Sequence, residues 1–210
     1  MSTVINKEWF EELSSSAPVP GGGGASAMGG AVAAALGMMV SNLTIGKKKY
    51  AVYEEEVKAC RSKLESIRDE MLELIEADAK CFEPLAAAYS LPSGSDEENK
   101  AKEKIMAEAL VTACSVPLKT MEKGAEIADC LAELCEKGSV MAISDVAVGM
   151  EFVRAAVLGA SMNVYINTKS MKDRVTAEQY NHYADRLNEE TARKTDRVFE
   201  KIKEALKCQQ

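Results

Sequence analysis

An all-α fold is what this sequence predicts: one bundle of long, partly kinked helices occupying residues 1–210 as a single domain. Three observations carry the expectation. Ala, Leu, Met, Glu and Lys are abundant, and each is a good helix former. Only five prolines interrupt 210 residues. Apolar residues recur at three- and four-residue steps rather than alternating, which is the helical period. A chain of this length can bury one sizeable core without needing a second domain.

The elements follow in order. Trp9, Phe10 and Leu13 mark a short amphipathic helix. The segment APVPGGGGASAMGG, residues 17–30, is read as a Pro/Gly loop feeding a small-residue helix from about Ala25 to Leu43. The longest periodic stretch comes next. Tyr53, Val57, Cys60, Leu64, Ile67, Met71, Leu74, Leu85 and Tyr89 lie on one face of a helix from near Tyr50 to Tyr89, with Pro84 bending its last turns. Ser95 and Glu98 form a capping-box signature for a helix reaching about Ala113. Pro117 predicts a kink or restart, and Gly138 a stop. Ser144 and Asp145 open a further helix, and the last begins after Thr176. The pentamer NVYIN at Asn163 is the only strand-like run and is too short to count as one.

Composition excludes several classes of function. A net charge of −7 argues against a nucleic-acid or anionic-membrane partner. The opening residues MSTVINKEWFEE have no apolar core of a secretory signal, so a cytoplasmic protein is expected. Six cysteines with no C-x-x-C pair, and one histidine, His182, leave little material for a zinc site, so no metal is expected. The uncharged run from Pro18 to Gly46 is long enough to span a bilayer, but Gly, Ala and Ser dominate it, which favours a buried central helix. No Lys-Ser or Lys-Thr follows the glycines and no strand precedes them, so neither a Walker loop nor a dinucleotide fold is supported.

One acid lies on the wrong face. Met71, Asp78 and Leu85 are spaced by seven, which places the Asp78 carboxylate along the apolar stripe. Burial raises a carboxyl pKa, and a raised pKa suits a general acid near neutral pH. A structural Asp held by a neighbouring Ser, Lys or backbone amide satisfies the same pattern. Gly21, Gly22, Gly23, Gly24 and Ser26 could offer helix N-terminal amides to a ligand or simply cap a helix. Asn163 and Asn167, four apart, share a face if their segment is helical, and could read a polar heterocycle or bond backbone. Lys47, Lys48 and Lys49 are either a solvated turn or a docking point for carboxylates. Asp145 after Ser144 is expected to be an ionised cap or hydrogen-bond acceptor rather than an acid.

The segments PVPGGGGASAMGGAVAAALGMMVSNLTIGKKKY, EADAKCFEPLAAAYSLP, SVPLK and SDVAVGMEFVRAAVLGASMNVYINT resemble, in this order and spacing, the cyclodeaminase/cyclohydrolase family. That family includes the cyclodeaminase domain of formiminotransferase-cyclodeaminase and stand-alone methenyltetrahydrofolate cyclohydrolases. The resemblance covers Trp9 to beyond Asp173, and it departs at Pro84 and in carrying lysines where arginine is frequent. It implies an all-helical homodimer with a tetrahydrofolate substrate, with or without a polyglutamate tail, and no further cofactor. It also implies that the D-A-x-x-F acid, here Asp78, is catalytic, that the glycines meet the pterin, and that Lys47 to Lys49 meet the glutamate tail. The sequence holds no counterpart of the formiminotransferase portion, so formimino transfer is expected of another protein.

Deamination, the reaction the family name puts first, closes N10 onto the formimino carbon of N5 and expels ammonia, as histidine degradation requires. The alternative is hydrolysis of the methenyl bridge to 10-formyltetrahydrofolate. Both pass through a carbon bonded to N5, N10 and one more heteroatom, so one proton carrier serves either. A non-catalytic helical module that binds folate or dimerises is the alternative from another class.

Overall fold

The computed structural model describes residues 7–208, in which six α-helices are joined by short turns. They are α1 (Lys7–Leu13), α2 (Gly22–Thr44), α3 (Glu54–Tyr89), α4 (Asp96–Lys137), α5 (Ile143–Ser170) and α6 (Arg174–Lys207). Two 3₁₀ turns, Lys48–Tyr53 and Val140–Ala142, lead into α3 and α5. No strand occurs among the described residues, and NVYIN lies within α5. The first six residues of the segment read for a secretory signal lie outside the described residues.

Helix α2 is the central element, packed between α3 and α5, and its most apolar window is 61% buried in the protein. Its small residues are what allow that. A Cβ on Gly37 would stand 2.7 Å from Leu64 Cδ1 and 3.0 Å from Leu131 Cδ2, so the leucines of α3 and α4 close directly on its backbone. Leu64, Ile67, Met71, Ile127, Leu131 and Leu134 are at most 2% exposed, and each buried side chain of this size contributes roughly 1.5–3 kcal/mol. A second, smaller cluster joins Leu85, Leu110, Cys114 and Met171 where α3 ends and α5 turns into α6. Cys60, Cys114 and Cys130 are buried free thiols, as expected of apolar filling.

The helix boundaries correct the sequence reading in four places. Helix α2 begins at Gly22 rather than Ala25, because a distant side chain supplies its missing cap (below). Helix α4 runs unbroken through Pro117, which is buried, with no restart. Neither Ser144 nor Asp145 caps α5. The 3₁₀ turn feeds straight into Ile143, and no side chain bonds the free amides there. Helix α6 starts at Arg174 because Asp173 accepts from the Val175 and Thr176 amides at 3.1 and 3.2 Å. The Ser95–Glu98 capping box and the stop at Gly138 are found as predicted.

Candidate active site

Asp78 sits two-thirds of the way along α3 on the same face as Met71 and Leu85, which are 0% and 1% exposed. Its partner is the N-terminus of α2. Gly21 has no side chain with which to cap that helix, so the Gly24 amide would lack an acceptor. Asp78 Oδ2 accepts from Gly24 N at 2.9 Å, capping α2 from 54 residues away. Two effects then oppose each other. Burial pushes the Asp78 carboxyl above its ordinary value of 3.8, the Gly24 amide pulls it down, and burial is the larger. The approach is close enough to require glycine, since a Cβ on Gly23 would lie 2.6 Å from Asp78 Oδ2.

Asp78 faces a cavity of about 180 Å³ whose walls also include Pro18, Val19, Gly21, Gly22, Phe82, Asn163, Ile166 and Asn167. Asp78 is the one charged residue on these walls. Asn163 donates its amide to Gly159 O at 3.3 Å, one turn back along α5. Asn167 donates to Ala113 O at 3.1 Å. Pro117 explains that bond. Having no N–H, it leaves the Ala113 carbonyl without its helical donor, and the Asn167 side chain supplies one from the neighbouring helix. That substitution is why α4 continues through its proline.

The other predicted residues divide. Gly21 and Gly22 line the cavity, whereas Gly23 and Gly24 lie behind it against Asp78. Ser26 does not reach it. Its hydroxyl bonds Gly22 O at 2.8 Å and packs under Gly159, where a Cβ would stand 2.6 Å from Ser26 Oγ. Lys47, Lys48 and Lys49 follow the opposite end of α2, which at 23 residues is about 34 Å long. Ser144 and Asp145 also lie toward that end, tied to it by Ser139 N bonding Thr44 Oγ1 at 2.8 Å and Val140 N bonding Tyr50 OH at 3.0 Å. One chain therefore brings together Asp78, the first glycines and both asparagines, and leaves the lysines, Ser144 and Asp145 remote.

Sequence reasoning missed Phe82, Ile166, Ala113 and Pro117 as cavity walls. Phe82 is four residues after Asp78, and Ile166 lies between the two asparagines, so helical spacing could have found them. Pro117 and Ala113 come from α4, whose register no local pattern reveals. A larger hollow of about 330 Å³ lies beside Lys102, Glu103 and Lys172. Its acid, Glu103, is paired with Lys172, and Lys102 donates to the Tyr89 and Leu91 carbonyls, so its charges already have partners. No group of three or more His, Cys, Asp or Glu side chains suited to a metal occurs among the described residues.

A desolvated carboxyl, anchored through one oxygen and set in a cavity walled by glycine backbone and two amides, makes a candidate acid/base site in a helical bundle. Comparison with known proteins shows the family. A family model described as formiminotransferase-cyclodeaminase matches residues 6–186, and the chain belongs to this family. A methenyltetrahydrofolate cyclohydrolase of Methylorubrum extorquens is 40% identical over 93% of this chain and 94% of its own. The formimidoyltransferase-cyclodeaminase of Rattus norvegicus is 29% identical over 88% of this chain, which spans only 34% of that protein's length. A crystal structure of formiminotetrahydrofolate cyclodeaminase from Thermotoga maritima superposes with a TM-score of 0.79 at 27% identity, covering 98% of this chain and 96% of that one.

Proposed function

We propose that the protein is a one-carbon folate enzyme in which Asp78 carries a proton to or from the heteroatom on the carbon bridging N5 and N10. The observation that carries this reading is Asp78 itself, an acid held toward its protonated form by burial at the wall of a cavity. The pterin enters beside Gly21 and Gly22, where no side chain keeps it from the backbone, and Asn163 and Asn167 bond its polar edge. At about 180 Å³ the cavity is smaller than the ~300–1,000 Å³ of pockets that enclose whole ligands, so it seats the bicyclic ring and leaves the aminobenzoyl-glutamate outside.

Such a carboxyl acts in either direction. In hydrolysis it takes a proton from the attacking water and returns one to the departing ring nitrogen. In deamination it protonates the leaving amine. A positioned group of this kind contributes about 10²–10⁴-fold, with alignment of N5, carbon and N10 supplying more. Hydrolysis of the methenyl bridge is the activity we put first, because the relative that matches end to end at 40% identity is a cyclohydrolase. Deamination is the second reading, favoured by the Thermotoga maritima structure. The reading includes a homodimer in the cytoplasm, no cofactor beyond the folate, and tolerance of a polyglutamate tail.

The test follows the methenyl chromophore. Purified protein is given 5,10-methenyltetrahydrofolate and, separately, 5-formiminotetrahydrofolate, with Asp78→Asn alongside. Accelerated decay of the first identifies hydrolysis, and growth of signal from the second identifies deamination. Either should fall about 10²–10⁴-fold in the variant. A folded wild-type protein silent toward both refutes the proposal.

A further inference from the structure

Two buried thiols meet where the start of α3 packs against the end of α4. Cys60 and Cys130 are each 4% exposed, and Cys60 Sγ donates to the Cys130 carbonyl at 3.5 Å across 70 residues of sequence. A sulfur that already touches the backbone of the residue it would join needs a side-chain rotation, not a helix shift, to close an S–S bond. Both thiols belong to the main apolar core, where Leu64, Ile127, Leu131 and Leu134 are their neighbours along the two helices. Cys114, the other fully buried thiol, has no such partner and touches only the Val164 carbonyl and the Asn167 side chain.

The two sulfurs are not equivalent. A hydrogen bond from Cys60 holds the Cys130 thiol below its ordinary value of 9.0. Burial pulls the other way, and Lys63, one turn beyond Cys60, adds a smaller downward pull against Glu133 and Asp129. The same hydrogen bond, followed by burial, pushes Cys60 up. Cys114 shows what burial does without a partner thiol, since it is pushed up to about 11. The thiolate is the nucleophile in thiol chemistry, so Cys130 is the sulfur set to attack and Cys60 the one set to resolve.

We propose that Cys60 and Cys130 are a peroxide-responsive pair that closes to a disulfide joining α3 to α4. Burial selects the oxidant. A bulky disulfide cannot reach sulfurs enclosed by leucine and isoleucine, whereas hydrogen peroxide is little larger than water. The Cys130 thiolate attacks one peroxide oxygen; an S–O bond forms, the O–O bond breaks, and the departing hydroxide takes the thiol's proton to become water. Cys60 then attacks the Cys130 sulfur; the S–S bond forms, the S–O bond breaks, and the second hydroxide leaves as water with the Cys60 proton. Two electrons pass from the sulfurs to one peroxide, giving one disulfide and two waters. Asp78 lies about 27 Å further along α3, so the bridge acts on the fold rather than on the cavity. By closing a loop of 70 residues it constrains the unfolded chain and so stabilises the folded one. The pair does not rest on the folate reading.

The first test uses the wild-type chain. Reduced protein is exposed to hydrogen peroxide, its remaining thiols are blocked with N-ethylmaleimide on unfolding, and the unreduced digest is mapped by mass spectrometry. The Cys60 and Cys130 peptides should be linked, and dithiothreitol should separate them. Oxidation confined to other cysteines, such as the exposed Cys208, overturns the proposal. The second test compares melting temperatures of the bridged and the dithiothreitol-treated protein, with Cys208→Ser removing any link between chains. The bridged form should melt about 4–16 °C higher. An unchanged or lower value overturns the stabilising role. The third test separates the two sulfurs. Cys60→Ser keeps a hydroxyl donor beside Cys130 but cannot close the bond, so peroxide should leave Cys130 as a sulfenic acid that dimedone traps on unfolding. Cys130→Ser should leave Cys60 unmodified. The reverse pattern overturns the assignment of Cys130 as the attacking thiol, and if neither variant folds the peptide map of the wild type still decides the pairing.

Discussion

Gly22 and Gly23 are adjacent, chemically identical and in the same first turn of α2, yet alanine should act oppositely at the two. At Gly22 the nearest atom to an added Cβ is Asn163 Nδ2 at 3.8 Å, an ordinary contact. Helix propensity then decides, and Gly22→Ala should stabilise by up to about 1 kcal/mol, less in a first turn than mid-helix. At Gly23 the added Cβ would stand 2.6 Å from Asp78 Oδ2 and 2.5 Å from its Cγ, well inside van der Waals separation. The carboxylate must leave, breaking the 2.9 Å bond from Gly24 N. A hydrogen bond to a charged group contributes about 1.5–3 kcal/mol, so the same propensity gain is outweighed and a net loss of about 1 kcal/mol remains. In a chain of this size that lowers the melting temperature by roughly 2–4 °C. Activity should suffer more, because displacing a reacting group by about 1 Å costs on the order of 100-fold. Thermal unfolding by circular dichroism and turnover of the methenyl substrate read the two effects separately. If Gly23→Ala were as stable as Gly22→Ala and as active as wild type, the placement of Asp78 against α2 would be wrong.

Asp78→Asn should be more stable than wild type at neutral pH. The folded carboxyl lies above 3.8, so between 3.8 and its folded value the native state holds a proton that the unfolded chain has released. Wild-type stability therefore falls as pH rises through that window, and the variant lacks this slope. Melting curves from pH 3 to 8 should converge at the acid end and separate above it; a variant less stable at pH 7 would contradict the burial of the acid. Asn167→Ala should destabilise by about 1–3 kcal/mol by orphaning the Ala113 carbonyl, and adding Pro117→Ala should restore most of the loss by returning a helical N–H. Denaturant titration of the four-member cycle reads this coupling, and purely additive effects would refute it. Ser95→Ala should cost about 1 kcal/mol through loss of the capping box, with no change in turnover.

The period of the apolar residues determined the helices, and it did so because burial of one face is a local, repeating demand on side-chain spacing. The same spacing singled out Asp78, since a carboxylate in register with Met71 and Leu85 must share their burial whatever lies opposite. The four glycines signalled a close approach without saying to what. Only the tertiary structure decided that. The start of α2 moved to Gly22 because its cap is Asp78 on another helix, and α4 ran through Pro117 because Asn167 on α5 replaced the missing donor. Each depends on a contact between segments about 50 residues apart, and no local propensity encodes such a contact. The lysines show the limit from the other side. Their charge was legible in the sequence, but their distance from the cavity follows from α2 running unbroken over 23 residues, a fact of three-dimensional length.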